Sequence, residues 1–445
     1  MDGNARRPIA SAAIFGNGTV ALCAAIALKR AIPQCAVRVI EPVDGGTTLA
    51  DSFPLIYPPA IPMLHALGLD EAGLVRSGLA SHKIGDRFEG CAGDPFMIPV
   101  EDDEPPVSGV PFGPIARLHS GESDPTIYSA ALTLARAGRF RPEAADGVGY
   151  ALRLDPDRFA HVLRTLAERA GITFAKADGA PIDADCGRPV ESSDTPSFED
   201  WSASIPGHQL LHWKAEGPVS LVDDHTAFDW GWRAQLSGPG LRHHIAVFKD
   251  PAAIPDAPST ATRIAFAPGR LASPWTGNTI ALGDAAVVPG PLGRFGFTLA
   301  LLHLSLLLEL MPGAEPDPLL EREYNRRAGI LSDEVRDFVA LLHAGTRHRG
   351  AFWQQLATEP PLASTIARFA RTGRVPIREA EIVSDAAWAH ALAALFDAAP
   401  GFDALARSVA PDQAAAALSR RAQDVRGLAA SQPPYEEWIG RITRR

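Results

Sequence analysis

The chain has 445 residues, 46% hydrophobic and 21% charged, and reads as an ordinary soluble globular protein of two or three substructures. A net charge of -10, with Lys and Arg scattered rather than gathered into runs, argues against nucleic acid as the main partner. The four cysteines, Cys23, Cys35, Cys91 and Cys186, lie far apart without metal-ligand spacing, so we expect reduced buried thiols, no metal and a cytoplasmic setting.

Residues 8 to 15 form an apolar strand, "GNGTVA" a tight turn, "LCAAIALKRAI" a helix and "AVRVIEP" a second strand, which closes a βαβ unit. The basic pair and apolar run of "NARRPIASAAIFGNGTVALCAAIAL" resemble a signal peptide, but Gly-Asn-Gly interrupts the run. Gly16 permits the turn, and Gly18 lets backbone approach a pyrophosphate at the start of the helix that Thr19 opens. Ala21 packs helix on strand, and Glu41 can accept ribose hydroxyls at the end of the second strand. Such a turn binds FAD or a nicotinamide dinucleotide, or packs with nothing bound, and the spacing leaves these open.

Residues 45 to 62, rich in Gly and Pro, read as an irregular loop, and 92 to 127 and 181 to 208 as surface connections. "LDPDRFAHVLRTLAERAGI" is an amphipathic helix with Asp155 as N-cap and Gly171 as stop, and 208 to 250 is strand-like. In "GDAAVVPGPLGRFGFT", Gly283 and Asp284 form a corner where the carboxylate can bond a ribitol or ribose hydroxyl, and small residues follow up to Gly296 at a helix mouth. An ordinary strand-turn-helix corner accounts for the same residues. The segment "FTLALLHLSLLLELMP" carries His303 and Glu309 and is expected to be a buried helix, so no membrane anchor is indicated. Beyond residue 296 the chain is mostly helical.

Six stretches, "GNGTVA", "HKIGDRF", "YALRLDPDRFAHVLR", "WGW", "WTGNTIALGDAA" and "YNRR…EVRDFVALLH…FW", follow the order seen in flavin-dependent tryptophan halogenases. Over most of residues 10 to 355 the chain resembles that family. The resemblance implies an α/β fold. A Rossmann-like FAD domain is expected from residues 8–90, 145–200 and 262–312, a β-sheet substrate module from 91–144 and 201–261, and a helical C-terminal region from 313–445. It further implies an oxidoreductase to which a separate flavin reductase supplies reduced FAD. With O2 and chloride or bromide, hypohalous acid would form and pass through a tunnel to a lysine beside a small aromatic substrate. A homodimer is among the assemblies left open.

Carried over by motif, the family's F-K-x-G-x-x-F lysine falls on Lys83, the catalytic candidate, whose ammonium would hold hypohalous acid or become a haloamine. A surface lysine on a strand is the alternative. The W-x-W-x-I-P tryptophans fall on Trp230 and Trp232, which with Phe295 are the substrate-side candidates, and core packing accounts for the two indoles equally well. Departures follow. The I-P pair is Ala234 and Gln235, and where the family has E-P-L-E-S-T-G this chain has "GPLGRFG", so Gly290 and Gly293 replace both glutamates and Arg294 and Phe295 replace the Ser-Thr pair. The G-V-G-E-A-T strap is replaced within 45 to 57, which weakens expected FAD binding. Three readings stay open: an FAD-dependent halogenase or hydroxylase of an aromatic or indole-like substrate, a halogenase-fold flavoprotein without halogenation, and a nicotinamide oxidoreductase.

Overall fold

The computed structural model describes residues 7–42, 48–120, 125–177, 197–249, 258–315, 317–354, 356–396 and 403–443. Cys186, residues 45–47 of the strap stretch and residues 181–196 of an expected surface connection lie outside the described residues. The chain divides into two compact units. One comprises Met1–Leu74, Leu154–Ser202 and Phe266–Asp333, the other Val75–Arg153, Ala203–Ala265 and Glu334–Arg445.

The first unit opens with the expected βαβ. Strand β1 (Ser11–Phe15) and strand β2 (Ala36–Glu41) flank helix α1 (Thr19–Ala31). The strands pair in parallel, with Ser11 opposite Ala36 and Phe15 opposite Ile40, and the strand Thr173–Lys176 adds in parallel to the other side of β2. Helix α1 is buried from Leu22 to Leu28. Its alanines leave room for close packing against helices Pro156–Arg169 and Phe295–Glu309. Asp155 caps the first of these, accepting from Arg158 N–H at 3.0 Å, and Phe159, Leu163 and Ala167 form its buried stripe. The second is buried on nearly all sides. By length and composition the stretch Leu292–Glu309 could cross a membrane, but 78% of it is buried inside the fold.

Residues 48 to 57 are more ordered than the irregular loop expected of them. Thr48 caps a short helix, α2 (Leu49–Ser52), its Oγ1 accepting from Asp51 N–H at 3.2 Å while donating to Asp51 Oδ2 at 2.6 Å. A Thr-x-x-Asp pair starts a helix even among glycines and prolines, because the Thr48 hydroxyl takes up an N–H the helix itself leaves unpaired while Asp51 fixes that hydroxyl in place.

The second unit is built on a seven-stranded sheet in the order Thr262–Ala265, Gln209–Glu216, Leu241–Phe248, Gly231–Ser237, Val222–Phe228, Gly85–Glu89 and Phe96–Pro99. Neighbours are antiparallel except for Val222–Phe228 against Gly85–Glu89, which run parallel with Asp223 opposite Asp86. Asp223, His225 and Ala227 are buried in turn along their strand, the alternation of a pleat with one inward face. The stretch 92 to 127, expected as a surface connection, instead supplies the edge strand Phe96–Pro99 and a helix, Phe112–His119. Helix Asp385–Leu395 packs on that edge strand, and helix Pro411–Ser431 packs on Phe112–His119 and Ala130–Ala137. Cys23, Cys35 and Cys91 are free buried thiols, and burial pushes Cys91 up to about 12 and Cys23 well above its usual range.

Candidate functional site

The nucleotide-type candidates of the first unit gather at the start of α1. Gly16 adopts φ +143° and donates its N–H to Ile40 O at 3.0 Å, tying the turn to β2. A Cβ on Gly16 would meet the Ala21 methyl at 3.1 Å, so Ala21 packs against the turn as its small size predicts. Gly283, at φ +59°, brings its corner against α1, where a Cβ would meet Val20 Cγ1 at 3.1 Å. Gly296 lies beside α2, and a Cβ there would stand 3.5 Å from Ala50.

The polar groups at this corner are occupied by the chain itself. Asp51 Oδ1 accepts from Thr19 Oγ1 at 2.6 Å and from Val20 N–H at 2.9 Å. Asp284 accepts from Leu49 N–H at 2.6 Å and Ala50 N–H at 3.1 Å. Burial pushes the Asp284 carboxyl up to about 6, with the nearby Asp51 charge adding to the rise and the two backbone donors opposing it. Glu41 is ion-paired with Arg164, whose guanidinium lies 3.7 Å from the centre of the Phe174 ring.

The loop that carries the sequence "GPLGRFG" is tightly closed. Gly293 has φ +76° and Arg294 φ +61°, with the Arg294 side chain buried. The Gly293 carbonyl accepts from Tyr57 Oη at 3.0 Å, and the Tyr57 ring stacks on Phe295 with centroids 4.6 Å apart. A Cβ on Gly293 would fall 2.3 Å from Phe295 Cε2. Phe295 therefore fills the space a side chain at 293 would need.

In the second unit Lys83 ends the strand Ala80–Lys83 and is fully buried. Its Nζ lies 2.8 Å from Asp86 Oδ1 and 3.2 Å from Asp223 Oδ2. Arg153, also fully buried, reaches Asp223 Oδ1 at 3.0 Å and donates to the His82 and Ser220 carbonyls, each at 2.7 Å. His225 Nε2 pairs with Asp86 Oδ1 at 2.9 Å. Burial alone would raise the Asp86 carboxyl, but the Lys83 charge and the His225 hydrogen bond outweigh it and hold the group below its usual range. Two cations thus meet two carboxylates in a buried cluster, the pairing under which buried charge is tolerated.

The two tryptophans occupy different surroundings. Trp232 is buried, 6.2 Å from the His225 ring and 6.4 Å from the His343 ring. Trp230 sits in the turn before its strand, half-buried, stacked on Phe228 at 5.1 Å with the Arg233 guanidinium 5.5 Å away. Lys83, Asp86, His225 and Trp232 thus form one connected buried group, and Trp230 stands outside it.

Sequence reasoning singled out Lys83 but not Asp86, Asp223, Arg153 or Asp51. A signal existed for two of them. Asp86 stands three residues after Lys83 in "HKIGDRF", and Asp51 closes the Thr-x-x-Asp pattern at Thr48. Asp223 and Arg153 carry none, since only the fold brings Asp223 to Lys83 and Arg153 to Asp223.

The tryptophan halogenase family model matches residues 11–233 and 246–411. A tryptophan 7-halogenase from Lentzea aerocolonigenes is 29% identical over 93 residues, which is 21% of this chain and 18% of that enzyme's length. Among solved structures, a flavin-dependent halogenase from Xanthomonas campestris superposes with a TM-score of 0.87 at 21% identity, over 98% of this chain and 99% of the other. A flavin-dependent halogenase from Brevundimonas sp. BAL3 gives 0.83 at 20% over the same shares. A tryptophan 6-halogenase from Streptomyces toxytricini gives 0.83 at 18%, over 98% and 100%. The structural likenesses establish the fold, and the family match over most of the sequence establishes that this chain belongs to the tryptophan halogenase family.

Proposed function

We propose that this chain is a halogenase-fold protein that does not halogenate. The observation that carries this reading is the state of Lys83. A lysine that delivers an electrophilic halogen must direct an N–H or a lone pair at the oxidant. Here the ammonium is fully buried and divided between Asp86 and Asp223, which hold it as a cation. The closed loop at Gly293 supports the same reading, since it has no acidic side chain and no room for one.

FAD and a halide are the ligands the family implies. The residues at the start of α1 do not fit a bound dinucleotide as they stand, because the Asp51 carboxylate takes the donors that would face the pyrophosphate and Arg164 takes Glu41.

A second reading is favoured by a specific observation. Lys83 is buried rather than on the surface, in a chain that matches flavin-dependent halogenase structures over nearly its whole length. Under it the protein would be an oxidoreductase of an aromatic or indole-like substrate, needing O2 and reduced FAD from a separate reductase. A halide would be needed for halogenation and none for hydroxylation. The experiment supplies photoreduced FAD, air, bromide and a panel of indoles and phenols, with mass spectrometry of the products. No brominated or hydroxylated product supports the first reading. Product that disappears in Lys83→Ala establishes the second, provided the variant is folded.

A further inference from the structure

The N-terminus of α1 holds an anion, and the anion belongs to the protein. Gly18 caps this helix without a side-chain hydrogen bond, so the first backbone N–H groups must find partners elsewhere. In a βαβ unit with small residues at this turn, the natural partner is the pyrophosphate of a dinucleotide, drawn by those donors and by the helix dipole. Here the Val20 N–H and the Thr19 hydroxyl both donate to Asp51 Oδ1, at 2.9 and 2.6 Å. The carboxylate also lies directly over the glycine. A Cβ on Gly18 would be 1.9 Å from Asp51 Oδ2 and 2.3 Å from its Cγ. The open space that the missing Gly18 side chain would offer a phosphate is filled by Asp51.

The placement is held from behind. Asp51 sits in α2, where Thr48 Oγ1 donates to its second oxygen at 2.6 Å. Helix α2 is itself anchored by Asp284 through the Leu49 and Ala50 N–H groups. One carboxylate therefore fixes the short helix that presents the other to α1.

We propose that Asp51 is an internal ligand of the dinucleotide site, seated where the pyrophosphate would lie, and that this single carboxylate decides whether FAD enters. A carboxylate and a pyrophosphate repel each other and compete for the same donors, so cofactor uptake requires Asp51 to leave. The inference concerns access to the site and does not rest on the loss of halogenation.

The test is a titration of the full-length chain with FAD, read by flavin fluorescence quenching, and with ADP by calorimetry. ADP has the two phosphates and the ribose without the flavin ring, so it isolates this end of the site. We expect wild type to lose FAD on desalting and Asp51→Ser to bind both ligands more tightly by about tenfold or more, one charge-assisted contact's worth. Asp51→Asn keeps the shape without the charge and serves where the serine variant is unstable. It too should bind more tightly than wild type. Wild type that retains FAD through desalting, or folded variants that bind neither ligand better than wild type, overturns the proposal. Wild type that retains FAD yet forms no product overturns this inference alone and leaves the functional proposal standing.

Discussion

Asp86 and Asp223 stand directly opposite each other on neighbouring parallel strands, and the Lys83 ammonium lies 2.8 Å from one and 3.2 Å from the other. Two carboxylates in that register repel unless a cation separates them. Lys83 thus has a structural duty whatever else it does.

Lys83→Met should destabilise the protein by about 3–5 kcal/mol, because it leaves two buried carboxylates with one fewer cation. Urea unfolding followed by circular dichroism reads this directly. A loss well under 1 kcal/mol would mean that the cluster is hydrated and the lysine free for other work.

Placing an acid at 293 should fail by itself. Gly293→Glu places a side chain at φ +76°, which costs about 1–3 kcal/mol, and drives its Cβ to within 2.3 Å of the Phe295 ring. The double variant Gly293→Glu/Phe295→Ser removes the steric part and should recover some of the lost Tm. Equal Tm for the two variants would show that Phe295 does not close the loop.

His343 should make the protein sensitive to mild acid. Burial pushes its imidazole down to about 4, and its Nδ1 donates to Val339 O at 2.8 Å. Because the folded value lies below the unfolded value of 6.5, the unfolded chain binds the extra proton between them, so this group's stabilising contribution is present above pH 6.5 and lost as pH falls toward 4. Relative to His343→Leu, wild type should lose up to about 3 kcal/mol across that window. Parallel Tm profiles for the two proteins would sink the assignment.

Asp284 has the opposite sign. Its carboxyl is raised to about 6 from 3.8, so its contribution is fully present below 3.8 and fades as pH rises through 6. Asp284→Asn keeps one acceptor for the α2 N–H groups without the charge. Its stability relative to wild type should therefore improve as pH is raised from 4 to 7, and an unchanged difference in urea midpoint would contradict this.

Much of this architecture was legible as pattern. The turn from Gly16 to Ala21 between β1 and β2, the capped helix after Asp155 and the apolar helix from Phe295 all depend on neighbours close in sequence, where periodicity and capping chemistry act. The motif order likewise pointed to the family, which the match over residues 11–233 and 246–411 bears out.

The βαβ start, the buried helix and the family can be read from residue order, because they follow from local geometry. What the site residues touch is set by contacts that form only in the folded chain. Asp223 reaches Lys83, and Arg153 reaches Asp223, across long stretches of chain, and Asp51 reaches α1 because Asp284, more than two hundred residues away, holds its short helix in place. A motif records which groups are present. Whether a lysine is free or paired, and whether a glycine turn is open or filled, depends on charges that folding brings together from distant parts of the chain, where burial makes each one count.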